Sequence, residues 1–114
     1  MSKGFLWFTQ NNSKTDYVEL SIKLAKSIKH WNKQSKICVI TDKKSAFTNP
    51  AVDIIKVLQN DDSADHAVKW ANEYKAFKIT PFTHTIKLEA YMLWTTNTDW
   101  WWNYLWQNNL VFSV

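Results

Sequence analysis

The sequence predicts an α/β fold, a mostly parallel sheet with helices on its faces. Three observations carry that expectation. Short apolar runs of strand type recur along the chain. The first two are separated by an amphipathic stretch long enough for a helix. The clearest run, "KICVIT" (Lys36 to Thr41), is nearly continuous in apolar residues, as strands covered on both faces tend to be. Strands joined by helical crossovers pair in parallel, and a chain of 114 residues has room for one such domain.

The elements follow in order. "GFLWFTQ" (Gly4 to Gln10) reads as the first strand, ended by the turn-forming "NNSK". A helix is expected from Thr15 or Asp16 to Trp31. Tyr17, Leu20, Leu24, Ile28 and Trp31 form its apolar stripe, and Asp16 with Glu19 three residues later resembles a capping box. Lys36 to Thr41 is the second strand and "VDIIKVL" (Val52 to Leu58) the third. "AVKWANEYKAFKI" suggests one or two short helical stretches, which "TPF" breaks at Pro81. "TIKLEAYML" (Thr85 to Leu93) alternates apolar and polar positions and predicts a fourth strand. Thr98 or Asp99 caps a helix running to Gln107, and "LVFSV" at the end is a fifth strand. The order β-α-β-β-α-β-α-β is Rossmann-like.

Composition narrows the chemistry. With one Gly in the chain there is no glycine-rich phosphate loop and no G-x-G-x-x-G dinucleotide turn. Cys38 is the sole cysteine, so an internal disulfide is excluded, and three scattered His offer no zinc spacing. The net charge of +4 comes from lysine alone, without arginine, which argues against base readout in nucleic acid. A modest lysine excess suits an anionic small ligand. No apolar run approaches the roughly 18 residues of a membrane span, and no signal-peptide pattern opens the chain, so a cytoplasmic protein without a membrane partner is expected.

In open α/β sheets, ligands sit outside the carboxyl ends of the strands. The residues that follow each strand are therefore the candidates. After the first strand these are Thr9, Gln10, Asn11 and Asn12; after the second, Thr41 and Asp42. Asp42 is suited to accept a hydrogen bond from a nucleobase imide or a ribose hydroxyl, and equally to open a turn. Glu89 falls in the second half of the fourth strand. The tryptophans Trp100, Trp101, Trp102 and Trp106 cannot all be buried in one small core, so at least one is expected to protrude.

The block "YKAFKITPFTHTIKLEAYML" (Tyr74 to Leu93) resembles nucleotide-sugar-dependent glycosyltransferases of the GT-A fold. Many of these carry a lysine, a "TPF" or "SPF" element, and a Thr-led strand ending in Asp-x-Asp or Glu-x-Asp before an apolar pair. Lys75, Thr80, Pro81, Phe82, Thr85, Ile86, Leu88, Glu89, Ala90, Met92 and Leu93 match that pattern. "TDWWWNYL" resembles the short helix that follows it in phage-borne members.

The resemblance implies a donor site for a nucleotide diphosphate sugar, most readily a UDP-sugar, within a single domain over residues 1–114. It implies Mn²⁺ or Mg²⁺ at paired carboxylates, where a hard cation neutralises the departing diphosphate. Two acidic groups separated by one residue share a side of a strand, so Glu89 would be one ligand. The second position holds Tyr91, a neutral phenol and a poor ligand for either ion at neutral pH. Weak metal binding is therefore expected, with Tyr91 read first as a β-favouring aromatic packed near the strand's exit and second as a group that stacks on a base or sugar or fills the metal space. Lys75 is placed to neutralise phosphate. Relatives of this type are considerably longer, so a GT-A-like domain truncated before its acceptor half, and impaired in catalysis, is expected. No catalytic base is assigned. The alternative is a non-catalytic interaction module that forms a homo-oligomer through its Trp-rich helix and an exposed sheet edge. Single-stranded nucleic-acid binding ranks last.

Overall fold

A computed structural model describes residues 3–11, 15–42, 49–58 and 75–102. The elements are β1 (Lys3–Thr9), α1 (Tyr17–Trp31), β2 (Ile37–Thr41), β3 (Ile54–Val57), α2 (Ala76–Ile79) and β4 (His84–Lys87). The four strands form one sheet in the order β3-β2-β1-β4, and every pairing is parallel. The expected α/β architecture is therefore present. The expected fifth strand, and the helix beyond Trp102, lie outside the described residues, as does most of Ala67 to Ile79.

The sheet is parallel because both its faces are apolar and both are covered. Side chains alternate along a strand, so β1 sends Phe5 and Trp7 to one face and Leu6 and Phe8 to the other. On the first face Phe5, Trp7, Ile37 and Val39 pack with Leu24, Ala25 and Ile28 of α1. On the second, Leu6, Phe8, Cys38 and Ile40 pack with Ala76 and Phe82. Backbone bonds prolong the pairing one residue past β3 at each end, from Asp53 N–H to Ile37 O at 3.0 Å and from Leu58 N–H to Thr41 O at 2.8 Å.

Asp16 caps α1 by accepting from Glu19 N–H at 3.1 Å, as the Asp16/Glu19 spacing suggests. The buried stripe is rotated from the expected one. It consists of Ser21, Leu24, Ala25 and Ile28, whereas Trp31 is exposed. Ser21 is drawn inward because the buried Trp7 indole donates to its hydroxyl (3.0 Å), satisfying a group that burial would otherwise leave without a partner.

The largest departure is at β4. The expected strand over Thr85 to Leu93 stops at Lys87. Leu88 N–H still reaches Leu6 O (2.8 Å), but Glu89 O then accepts from Met92 N–H at 3.1 Å, a turn. Leu88 and Ala90 join the core beneath α1, and Trp94 N–H donates to Ser27 Oγ at 2.9 Å. The alternation of "TIKLEAYML" reports burial only as far as Ala90: Leu88 and Ala90 meet a helix rather than a neighbouring strand, and Met92 and Leu93 are exposed.

The "TPF" element is a connector that closes the second face. Thr80 and Thr85 share a hydroxyl hydrogen bond at 2.7 Å, Phe82 N–H donates to Thr80 Oγ1 at 3.2 Å, and the Phe82 ring lies over Gly4. Any Cβ at Gly4 would collide with that ring.

Candidate functional site at the carboxyl edge of the sheet

β1 is central. The chain runs from it to β2 and β3 on one side, then returns to β4 on the other. The strand order reverses between β1 and β4, and open α/β sheets bind ligands at such a switch point, outside the carboxyl ends. Residues following β1 and β4 flank this position and those following β2 adjoin β1, with Lys87 level with Leu6, three residues before the end of β1.

Gln10 and Asp42 come together there. Both are buried, and Gln10 Nε2 donates to Asp42 Oδ2 at 3.0 Å across the ends of β1 and β2. The register pairs Thr9 with Thr41 one residue earlier, and both hydroxyl-bearing side chains are buried. Thr41 Oγ1 donates to Asp42 O at 3.4 Å, while Thr9 Oγ1 has no hydrogen-bond partner among the described residues. Asn11 is committed locally, its Oδ1 accepting from Val18 N–H at 3.0 Å in the first turn of α1. With Asp16 on Glu19, two of the donors at this helix terminus are already satisfied by side chains.

On the β4 side stand Lys87 and Glu89. Lys87 ends the strand opposite Leu6 of β1, so alternation places it on the same sheet face as Gln10 and Asp42. Its ammonium lies 3.1 Å from Glu89 Oε1. Glu89 is in the turn rather than within a strand, which corrects the premise that residues 89 and 91 share a strand face. Tyr91 is 69% exposed, so the reading of it as an aromatic packed at the strand exit does not hold. Lys75 immediately precedes α2 and is half-buried.

Local pattern does not single out Lys87, because it sits inside an apolar run. Its spacing of two from Glu89 was the available signal. The Trp-rich segment belongs elsewhere. Trp102 packs edge-on against Phe5 at 5.5 Å, and Lys3 Nζ lies 5.5 Å from the Trp102 ring. Thr98 N–H donates to Asn32 Oδ1 (3.0 Å) just beyond the end of α1. These contacts lie at the amino edge, where Trp100 protrudes at 65% exposure.

Comparison with known proteins found no matching family model, no matching curated protein and no matching solved structure.

Proposed function

We propose that this chain is a GT-A-like nucleotide-sugar-binding domain whose donor, a UDP-sugar, lies across the carboxyl edge of the sheet. The observation that carries the reading is the buried Gln10–Asp42 pair beside the switch point. An acidic acceptor oriented by a neighbouring amide is suited to a nucleobase imide N–H or a ribose hydroxyl. Thr9 and Asn11 belong to the same edge, and Lys75, Lys87 and Glu89 supply the charged groups toward the diphosphate. The wider role is hexosyl transfer from that donor.

The residues present fit a resident divalent cation poorly. Mg²⁺ demands near-octahedral oxygen coordination, and Mn²⁺ likewise favours oxygen donors. Here Glu89 is already paired with an ammonium, and the next residue but one is a phenol. Mn²⁺ or Mg²⁺ would enter with the diphosphate, using Glu89 as its one carboxylate, and would bind weakly.

Calorimetric titration with UDP and UDP-glucose tests the reading. Saturable binding that Asp42→Ala abolishes, with the fold retained, supports it; no binding of either ligand at millimolar concentration refutes it.

A second reading has an observation of its own. Tyr91 (69%), Leu93 (63%) and Trp100 (65%) are large apolar side chains left exposed, which favours self-association. Light scattering that shows a strict monomer at high concentration would exclude it.

A further inference from the structure

We infer that Lys87 provides the positive charge for the donor diphosphate, with Glu89 as its positioning residue, and that binding therefore needs no divalent cation. This rests on the donor-site reading above and names the group that does what a metal would do there.

Three features of the structure combine. Lys87 is the last residue of β4, beside the switch point and on the face shared by Gln10 and Asp42. Its ammonium is held 3.1 Å from Glu89 Oε1, the carboxylate at which the resemblance to glycosyltransferases would place a metal ion. The two side chains are 32% and 39% exposed, so the pair is accessible from solvent rather than locked in the core. A cation entering at Glu89 would have to displace the ammonium or sit beside it, and the second case places like charges together. Lysine needs no such coordination geometry. It is a compact point charge with three donors on a flexible stem, and it binds phosphate in that form. The exposed ion pair contributes little to stability, so transfer of the ammonium from Glu89 to a diphosphate oxygen costs little. Glu89 then keeps the lysine directed toward the edge when no ligand is bound.

The test is calorimetry with UDP, inorganic pyrophosphate and uridine, each in EDTA and in MnCl₂, on wild type, Lys87→Ala, Lys87→Arg and Glu89→Gln. Lys87 is exposed, and matching thermal unfolding of the variants checks that they fold. Wild type is expected to bind UDP with affinities within about threefold in the two buffers. Lys87→Ala is expected to weaken UDP and pyrophosphate about 10- to 100-fold, as for loss of a charged hydrogen bond, and to leave uridine unchanged. Lys87→Arg should restore most of the affinity. Glu89→Gln should leave UDP binding within a few fold, whereas loss of a metal ligand would cost far more. UDP binding that requires Mn²⁺, or that ignores Lys87→Ala, overturns the inference while leaving the donor-site reading intact. Failure of UDP, pyrophosphate and uridine alike to bind overturns both.

Discussion

Gln10 and Asp42, at the ends of adjacent parallel strands, are joined by a buried hydrogen bond of 3.0 Å from Nε2 to Oδ2. The bond holds together the ends of β1 and β2 at the carboxyl edge, the edge at which open α/β sheets bind ligands. Two substitutions separate these roles. Asp42→Ala removes the acceptor of a buried amide and is expected to cost about 1–3 kcal/mol. That lowers Tm by roughly 4 °C per kcal/mol for a domain of this size. Asp42→Asn keeps a carbonyl for Gln10, so its Tm should stay near wild type, yet UDP affinity should fall about tenfold with the lost charge. Thermal unfolding and calorimetry on both variants check this. Equal UDP binding by Asp42→Asn and wild type would make the pair purely structural.

Tyr91→Asp probes the other half of the site. The side chain is exposed, so stability should change by less than about 0.5 kcal/mol. A second carboxylate near Glu89 should make UDP binding respond to Mn²⁺, since two acidic groups outcompete one ammonium for a divalent ion. The effect should be larger in combination with Lys87→Ala. Identical UDP affinities for the double variant in EDTA and in MnCl₂ would show that the turn at residues 89–92 cannot present a metal pair.

Gly4 is required by space rather than by backbone conformation, since no glycine has positive φ among the described residues. A Cβ there would meet the Phe82 ring. Gly4→Ala should therefore destabilise by about 1–3 kcal/mol, the usual range for overpacking. Phe82→Leu in the same chain should recover part of that loss, because neighbouring sites that share one volume are not additive. Denaturant unfolding of the two single variants and the double variant measures the coupling. Strictly additive effects would refute the steric account.

Cys38 lies wholly inside the second core cluster. Burial pushes its thiol up to about 11 from 9.0, with the nearby Lys56 ammonium opposing the shift. The folded state therefore holds the thiol proton over a pH range in which the unfolded chain releases it. Stability from this group is fully present below pH 9.0 and is lost as pH rises toward about 11. The loss approaches about 1.4 kcal/mol per pH unit within that window. Comparing the alkaline slope of unfolding free energy with that of Cys38→Ala isolates the contribution. Native protein should also resist iodoacetamide at pH 8 and react readily in denaturant. Fast modification of the native protein would contradict the burial.

Local pattern was enough for the parts of this protein in which one signal dominates. The continuous apolar run of Ile37 to Ile40 required cover on both faces, and that requirement led to parallel pairing. Asp16 and Glu19 marked the start of α1 because capping depends on residues only three apart. The position of Gln10 and Asp42 at the carboxyl edge was legible because each directly follows a strand.

What remained was decided by partners distant in sequence. Ser21 is buried because Trp7, fourteen positions earlier, needs an acceptor for its indole N–H. β4 ends at Lys87 because Leu88, Ala90 and Trp94 pack beneath α1, and period-two alternation cannot reveal which surface a strand-like segment will meet. The Lys87–Glu89 pair follows from that ending, as does the exposure of Tyr91. Sequence alone determined that the run Ile37 to Ile40 must be buried and where the helix begins. Only the tertiary structure chose the surface that buries each residue, and so which charged groups stand together at the sheet's carboxyl edge.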